Sequence, residues 1–525
     1  MSQVWAAIRQ FAEQRPDQIA ISTLAGNRSA ALSWRELEAA VLAVKKILQE
    51  QSIRSLALYA DNSPDWVVID LACRLAGVVL IPLPAFFSDR QLRHLLDSTS
   101  VDALITDQPD RVLPLWQAQP VLIEAPDGLN ILVATDSNKR RSSCTMPAAT
   151  GKISFTSGST GMPKGVCLSS AHIEQVACSI KEISDSCAIS RHLAVMPLST
   201  LLENVAGVYT TLLSGAELVL ATAAELGFNG SSGFSIERFL GAVQSSQANS
   251  LILIPQLLEA LVHSCQSGWT VPKQLRFIAV GGGTVSPTLL QQARSSGLPV
   301  YEGYGLSECG SVVCLNGPGR ESTGSLGKPL GHVRLVIENG EIVVSGSSFL
   351  GYVNDRSSWL EPGAETWVHT GDLGYIDGQG FVHYQGRIKN VMVSTYGRNI
   401  MPEWIEAEIQ ASPLISQCVV FGNDRPCCVA LLAPSAPDID NDQIDRLLVR
   451  VNAELPDYAR IRAWHRLPSA LPPGRGEPDD LMTSNGRPRR KLIQAHFEQE
   501  IEALYSECRQ GGLATESVFA TTGEA

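Results

Sequence analysis

The chain has 525 residues, 44% of them hydrophobic and 18% charged, with 41 basic and 53 acidic side chains giving a formal charge of −12. That balance supports a sizeable core and excludes disorder of the whole chain. The acidic excess argues against a function dominated by nucleic acid or anionic membrane, because phosphate-rich surfaces reward basic proteins.

Length suggests about three or four folding units. The 12 cysteines run from Cys73 to Cys508 without a Cys-x-x-Cys pair. Neither adjacent Cys427 and Cys428 nor the Cys309/Cys314 spacing forms a metal motif, so buried reduced thiols and a cytoplasmic setting are expected. The start lacks the uninterrupted apolar run of a signal peptide. The most apolar stretch, 71–87, contains Arg74, Pro82 and Pro84 and does not read as a membrane span.

Taken in order, residues 3–20 read as a helix with Val4, Ile8 and Phe11 on one side. A second helix follows Ser33, whose N-cap and Glu36 three positions on form a capping box. Strand 55–61, helix 63–77 closed by Gly77, strand 78–84, helix 89–99 and strand 102–107 come next. The alternation predicts parallel sheets covered by helices, an α/β fold class. Residues 136–149 read as a polar, basic surface linker. Further strands are expected at 193–198, 216–221, 250–255 and 276–282. From 324 to 387 the short alternating segments and glycine turns predict an antiparallel sheet or small β-barrel. Residues 471–480 read as a Pro/Gly-rich loop, and the tail 507–525 as disordered.

The strongest local pattern is ISFTSGSTGMPKGV, 153–166. An apolar strand runs into Thr156, Ser157, Gly158, Ser159, Thr160 and Gly161, then Pro163 and Lys164. Glycines let backbone N–H groups turn inward as an anion nest. The hydroxyls add donors and Lys164 adds charge, which suits a polyphosphate. Pro163 breaks the Walker A spacing.

This segment resembles the phosphate loop of the adenylate-forming superfamily of acyl-CoA synthetases, peptide-synthetase adenylation domains and luciferases. The resemblance spans about residues 5–500. VGGGTVSP (280–287) and VYEGYGLSE (300–308) resemble its adenine and metal segments. The resemblance implies that Gly281, Gly282 and Gly283 receive the adenine, with Tyr304 beside Gly305 stacking on its other face. Ser307 would bond the α-phosphate, and Glu308 would hold Mg2+. WVHTGDLGYID (367–377) implies Asp372 as acceptor for the ribose hydroxyls. HYQGRIKN (383–390) implies Arg387 at ribose or phosphate and Lys389 as the hinge. Past the hinge a small α+β unit would rotate between two poses, with Gly397 in the passage for a pantetheine thiol. The implied architecture is an adenylation domain at 1–387 and a mobile C-terminal domain at 388–506.

Two segments depart from the pattern. The superfamily's C-terminal catalytic lysine falls on Arg487 in MTSNGRPRRKL (482–492), where a forked guanidinium replaces a compact ammonium. The run Arg487, Arg489, Arg490 and Lys491 can also be read as a solvated basic face toward CoA. In VMPLSTLLENVAGVY (195–209), Thr200 and Asn204 replace a usual His and Arg, whereas Glu203 keeps the usual Glu. Val205, Gly207 and Val208 are expected to make an apolar wall, in a pocket built near 200–210, 229–236 and 280–285. The style of these motifs is most like fatty or long-chain acyl-CoA ligases.

The resemblance implies ATP-dependent activation of a carboxylic, fatty-type acid to an acyl-adenylate. Transfer to CoA or to the phosphopantetheine of a separate carrier protein would follow. A non-catalytic nucleotide or acyl-adenylate binding protein is the competing reading, resting on Arg487. A metal-dependent hydrolase is disfavoured, since the nine histidines form no His-Glu-x-x-His pattern.

Overall fold

The computed structural model describes residues 2–25, 31–116, 120–124, 130–134, 144–156, 162–229, 233–346, 348–360, 366–474, 477, 479–483, 486–510 and 519–521. The first helix covers Gln3–Gln14 and stops short of the expected residue 20. Pro16 lacks an amide donor and pushes Arg15 out of helical geometry, which ends the helix. Residues Ile19–Thr23 then form a strand instead. The second helix, Trp34–Glu50, carries both halves of the Ser33/Glu36 capping box. Helix Pro64–Ala76 ends at left-handed Gly77.

Two large sheets form the N-terminal body. In the first, Ser55–Tyr59, Val79–Pro82 and Ala103–Thr106 run parallel. The antiparallel hairpin Thr150–Thr156 and Lys164–Ser169 extends this sheet. In the second, Ile19–Thr23, Glu217–Leu220, Arg191–Ala194, Ser250–Leu253, Phe277–Val280 and Val300–Leu306 are parallel neighbours in that order. Antiparallel Ser311–Leu315 borders them. Helices cover both, and a shared core runs from Val4 and Trp34 through Trp66, Val205 and Leu315.

The antiparallel unit expected after 324 is a four-stranded sheet. Its strands are Arg334–Glu338, Glu341–Ser345, Val368–Ile376 and Val382–Arg387. The C-terminal unit packs Ile415–Phe421, Cys428–Pro434 and Ile461–Arg466 against helices such as Pro402–Gln410 and Asn441–Glu454. Its last helix, Glu498–Gln510, runs past the residue where an unstructured tail is expected. Buried Ile501, Leu504 and Tyr505 give that helix an apolar face to dock. Residues Phe519–Thr521 lie beside Ile461–Arg466, and the rest of the tail falls outside the described residues.

No disulfide joins the cysteines, and no helix among the described residues is long and apolar enough to cross a membrane.

Candidate active site

The carboxyl ends of Phe277–Val280 and Val300–Leu306 point into a cleft of about 1410 Å3, the position where open parallel sheets bind ligands. The four-stranded sheet and the C-terminal unit close its other sides through Thr370, Arg387, Lys389 and Arg487. Gly281, Gly282, Tyr304, Gly305, Ser307 and Glu308 all line it. Backbone geometry explains two of these glycines. Gly282 sits at φ +80°, and a Cβ at Gly305 would lie 1.7 Å from the Ser311 carbonyl oxygen. Gly283 lies just beyond the lining, against Pro255.

Tyr304 donates its phenolic proton to Asp372 Oδ2 across 2.6 Å. Asp372 Oδ1 lies 2.7 Å from Arg387 Nε. Asp372 is buried, so its carboxylate joins a tyrosine from one sheet to a guanidinium from another. Burial, followed by the negative charge of Asp372, holds the Tyr304 phenol well above its ordinary pKa.

The phosphate-loop candidates Ser157, Gly158, Ser159, Thr160 and Gly161 lie outside the described residues. Their two flanks are fixed. Thr156 and Lys164 are register partners in the hairpin, and both line the cleft. The Lys164 ammonium stands 5.2 Å from the Tyr352 ring centroid, a cation–π distance. The Tyr352 hydroxyl donates to Glu308 Oε1 at 2.9 Å. Tyr352 thus links the charge candidates from two motifs. Tyr352 is not among the candidates its sequence suggests, although an aromatic after Leu350-Gly351 is the available signal.

Among the described residues no cluster of three His, Cys, Asp or Glu side chains forms a metal site. Glu308 is one cleft carboxylate beside Ser307, which fits Mg2+, a hard cation that usually keeps waters and phosphate oxygens as its other ligands.

Arg487 reaches across from the C-terminal unit, where its guanidinium Nη2 donates to the Gly282 carbonyl at 3.1 Å. Its own backbone is held by Thr483, through Thr483 N to Arg487 O at 2.8 Å and Arg487 N to Thr483 Oγ1 at 3.0 Å. Desolvation, followed by the like charge of Arg387, lowers the Arg487 pKa from the usual guanidinium value. Two guanidiniums facing one cavity make a seat for an anion.

The remaining candidates divide. Lys389 lines the cleft. Gly397 does not: it occupies a turn at φ +71° beside highly exposed Tyr396, with no atom near its Cβ position. The basic run is not one solvated face. Arg490 is part-buried and forms a forked pair with Glu406, at 2.6 and 3.2 Å. Arg489 donates to the carbonyls of Glu477 and Asp480. Lys491 faces the cleft.

From the end lined by Gly281 and Tyr304 the cleft continues as a passage along the second sheet. Its floor is one face of neighbouring strands, with Gly281, then Ala279 and Ile252, then Phe277 and Ser250. Its roof is the π-helical stretch Leu202–Tyr209 and helix Thr210–Ser214, presenting Leu202, Ala206 and Thr211. Of the expected wall, Val205 and Val208 are on the other side, and Gly207 faces Glu203 and His192. Val205 and Val208 are fully buried in the core, because the face bearing Leu202 and Ala206 meets the sheet instead. The described residues near 233–236 do not line the passage.

Glu203 is wholly buried. It accepts the Val195 and Met196 amides at 3.1 and 2.9 Å and pairs with His192 Nε2 at 2.8 Å. Asn204 donates to Asp70, which pairs with buried Lys152 at 2.9 Å. These two departure-segment residues therefore anchor the roof. His192 was not singled out from sequence, since a lone histidine in an apolar strand carries no pattern.

Comparison with known proteins agrees with this geometry. The family model described as AMP-binding enzyme matches residues 8–353, and the AMP-binding enzyme C-terminal domain model matches 389–509. A 2-succinylbenzoate–CoA ligase of Bacillus cereus is 27% identical over 445 residues, covering 79% of this chain and 84% of that protein. A long-chain-fatty-acid–CoA ligase of Mycobacterium bovis is 23% identical over 549 residues, covering 86% and 88%. The solved O-succinylbenzoate coenzyme A synthetase of Bacillus subtilis, in complex with AMP, has the same fold. It superposes with a TM-score of 0.72 at 23% identity, covering 94% of this chain and 98% of that one. With the first model spanning more than half of its length, the chain belongs to the AMP-binding enzyme family, within the adenylate-forming superfamily that its motifs resemble.

Proposed function

We propose that this enzyme is an AMP-forming acid–thiol ligase acting on a carboxylic acid with an extended, fatty-type acyl group. The observation that carries the reading is the convergence of Arg387 and Arg487 on the cleft that Lys164, Ser307, Glu308 and Tyr304 also line. The acid's carboxylate oxygen attacks the α-phosphorus of ATP, the bond to the β-phosphate oxygen breaks, and pyrophosphate leaves an acyl-adenylate. Tyr304 and Gly281–Gly282 hold the adenine, and Asp372 with Arg387 holds the ribose. Lys164, Ser307 and Arg487 donate toward the oxygens that gain charge. Mg2+ on Glu308 and the phosphates would neutralise part of that charge.

In the second step a thiolate attacks the acyl carbon, AMP leaves and a thioester forms. Residues 388–506 act as the mobile domain after an adenylation domain at 1–387, with Lys389 at the hinge. The pose with Arg487 on Gly282 serves adenylation, and rotation would bring Gly397 to the passage for a pantetheine arm. CoA is the thiol we favour, a carrier protein's phosphopantetheine being the other acceptor to test. Relatives named for CoA ligation support this choice. The floor running along the strands supports a linear acyl group over a compact aryl acid.

The test is ATP-dependent hydroxamate formation without thiol, over acids from short to long chain plus aryl acids. One class of acids should react, and addition of CoA or a carrier protein should then identify the acceptor. Arg487→Ala should lower the rate about 10²–10³-fold, and Arg487→Lys should retain it. ATP binding with no hydroxamate from any acid would point to a nucleotide-binding protein instead.

A further inference from the structure

The inner end of the acyl passage is unlike a plain hydrocarbon sleeve. His192 and Ser250 are direct register partners on adjacent strands, with His192 Nδ1 2.8 Å from Ser250 Oγ. His192 Nε2 meets the Glu203 carboxylate, which only accepts, so Nε2 carries a proton. In the neutral ring Nδ1 then takes the Ser250 proton, and the Ser250 oxygen keeps its acceptor capacity. Both residues line the passage.

Thr211 faces them. It lies four positions beyond Gly207 on the roof helix, and a Cβ at Gly207 would stand 2.8 Å from His192 Nε2. Thr211 also lines the passage, and its hydroxyl has no hydrogen-bond partner among the described residues. Its neighbours Thr210 and Ser214 instead donate to backbone carbonyls. The surroundings are apolar: Ile180, Ile189, Ile252, Phe277 and Ala279. The chamber sits at the level of Phe277, four strand residues from Gly281, or about 13 Å from the nucleotide end.

We infer that the acid carries a hydrogen-bonding oxygen, a hydroxyl or oxo group, some way along its chain, which is received by Thr211 and Ser250 at the inner end of the passage. The inference rests on the ligase reading above and names its substrate class. A chain hydroxyl can donate to Ser250 and accept from Thr211; an oxo group can accept from Thr211. An unsubstituted chain would cover both groups without giving either a partner, which is how a polar site rejects the analogue that lacks the matching group.

The experiment compares acids of equal length with and without one hydroxyl or oxo group, moved stepwise along the chain, by hydroxamate trapping with the wild-type enzyme and ATP. The expected result is a maximum in kcat/KM at one position, at least about tenfold above the unsubstituted acid. Thr211→Val and Ser250→Ala should each bring that ratio toward one. Thr211→Ser, which keeps the hydroxyl, should preserve it and separates this role from a loss of folding. Unsubstituted acids reacting as well at every length and position would overturn the inference and leave the ligase reading standing. No hydroxamate from either member of any pair would sink both.

Discussion

Tyr304 and Asp372 are joined by a 2.6 Å hydrogen bond that ties strand Val300–Leu306 of the second sheet to the four-stranded sheet. The bond fixes the aromatic plane and holds the carboxylate that also meets Arg387. Tyr304→Phe keeps the ring and removes the bond. We expect KM for ATP to rise about tenfold with a smaller change in kcat, because a bond to a charged acceptor is worth about 1.5–3 kcal/mol and acts here on binding. Asp372→Asn should cost more, since it also leaves Arg387 without its carboxylate. Steady-state pyrophosphate release against ATP concentration separates the two effects.

Tyr352 bridges Lys164 and Glu308 through its ring and its hydroxyl. Tyr352→Phe should keep the cation–π contact and free Glu308 Oε1. The expected outcome is a shifted Mg2+ requirement, read as the Mg2+ concentration for half-maximal adenylation, with ATP affinity at saturating Mg2+ changed less than threefold, or about 0.6 kcal/mol. An unchanged Mg2+ curve would remove the tyrosine from this role.

Much of the frame was legible because local chemistry decided it. The Ser33/Glu36 capping box and the Gly77 terminus are short-range devices, and both helices follow them. The strand Thr150–Thr156 that leads toward residues 157–161, and the glycines before the cleft, likewise follow from residues close in sequence. The pairs that complete the site come from distant segments. Glu308 meets Tyr352 across 44 positions, and Arg490 meets Glu406 across 84. A basic run reads as solvated until its partner is known. The roof of the passage was misassigned because Leu202–Tyr209 is π-helical, and a wider turn changes which residues share a face.

Glu302 offers a test by pH. It lies in Val300–Leu306 and is buried, and burial pushes its carboxyl pKa up to about 8. A folded-state pKa above the unfolded value means that the folded protein holds the extra proton. The stabilisation of the protonated form is full below about pH 4.5 and is lost as pH rises through about 8. Glu302→Gln, which cannot ionise, should therefore flatten the decline in Tm between pH 5 and 8 and gain on the wild type toward the upper end. Parallel Tm profiles for the two proteins would show that Glu302 does not titrate there.

Arg490 and Glu406 test how the C-terminal unit is held. Glu406 is buried under a part-buried Arg490, and its Oε1 also accepts the Val420 amide at 2.7 Å. It therefore fastens helix Pro402–Gln410, which follows Lys389 in the chain, to strand Ile415–Phe421 and to the segment after Arg487. Arg490→Met removes one charge and strands the other in a dry site, at a cost of about 3–5 kcal/mol. Denaturant unfolding should show that loss. Glu406→Leu combined with Arg490→Met removes both charges and should recover a large part of it, since a well-packed apolar pair often matches a buried ion pair. If adenylation needs Arg487 presented by a rigid unit, the single variant should lose hydroxamate activity at temperatures where its N-terminal body is still folded, and the double variant should regain it. Equal stability of the single and double variants would mean that the pair's worth lies in its packing and not in its charges.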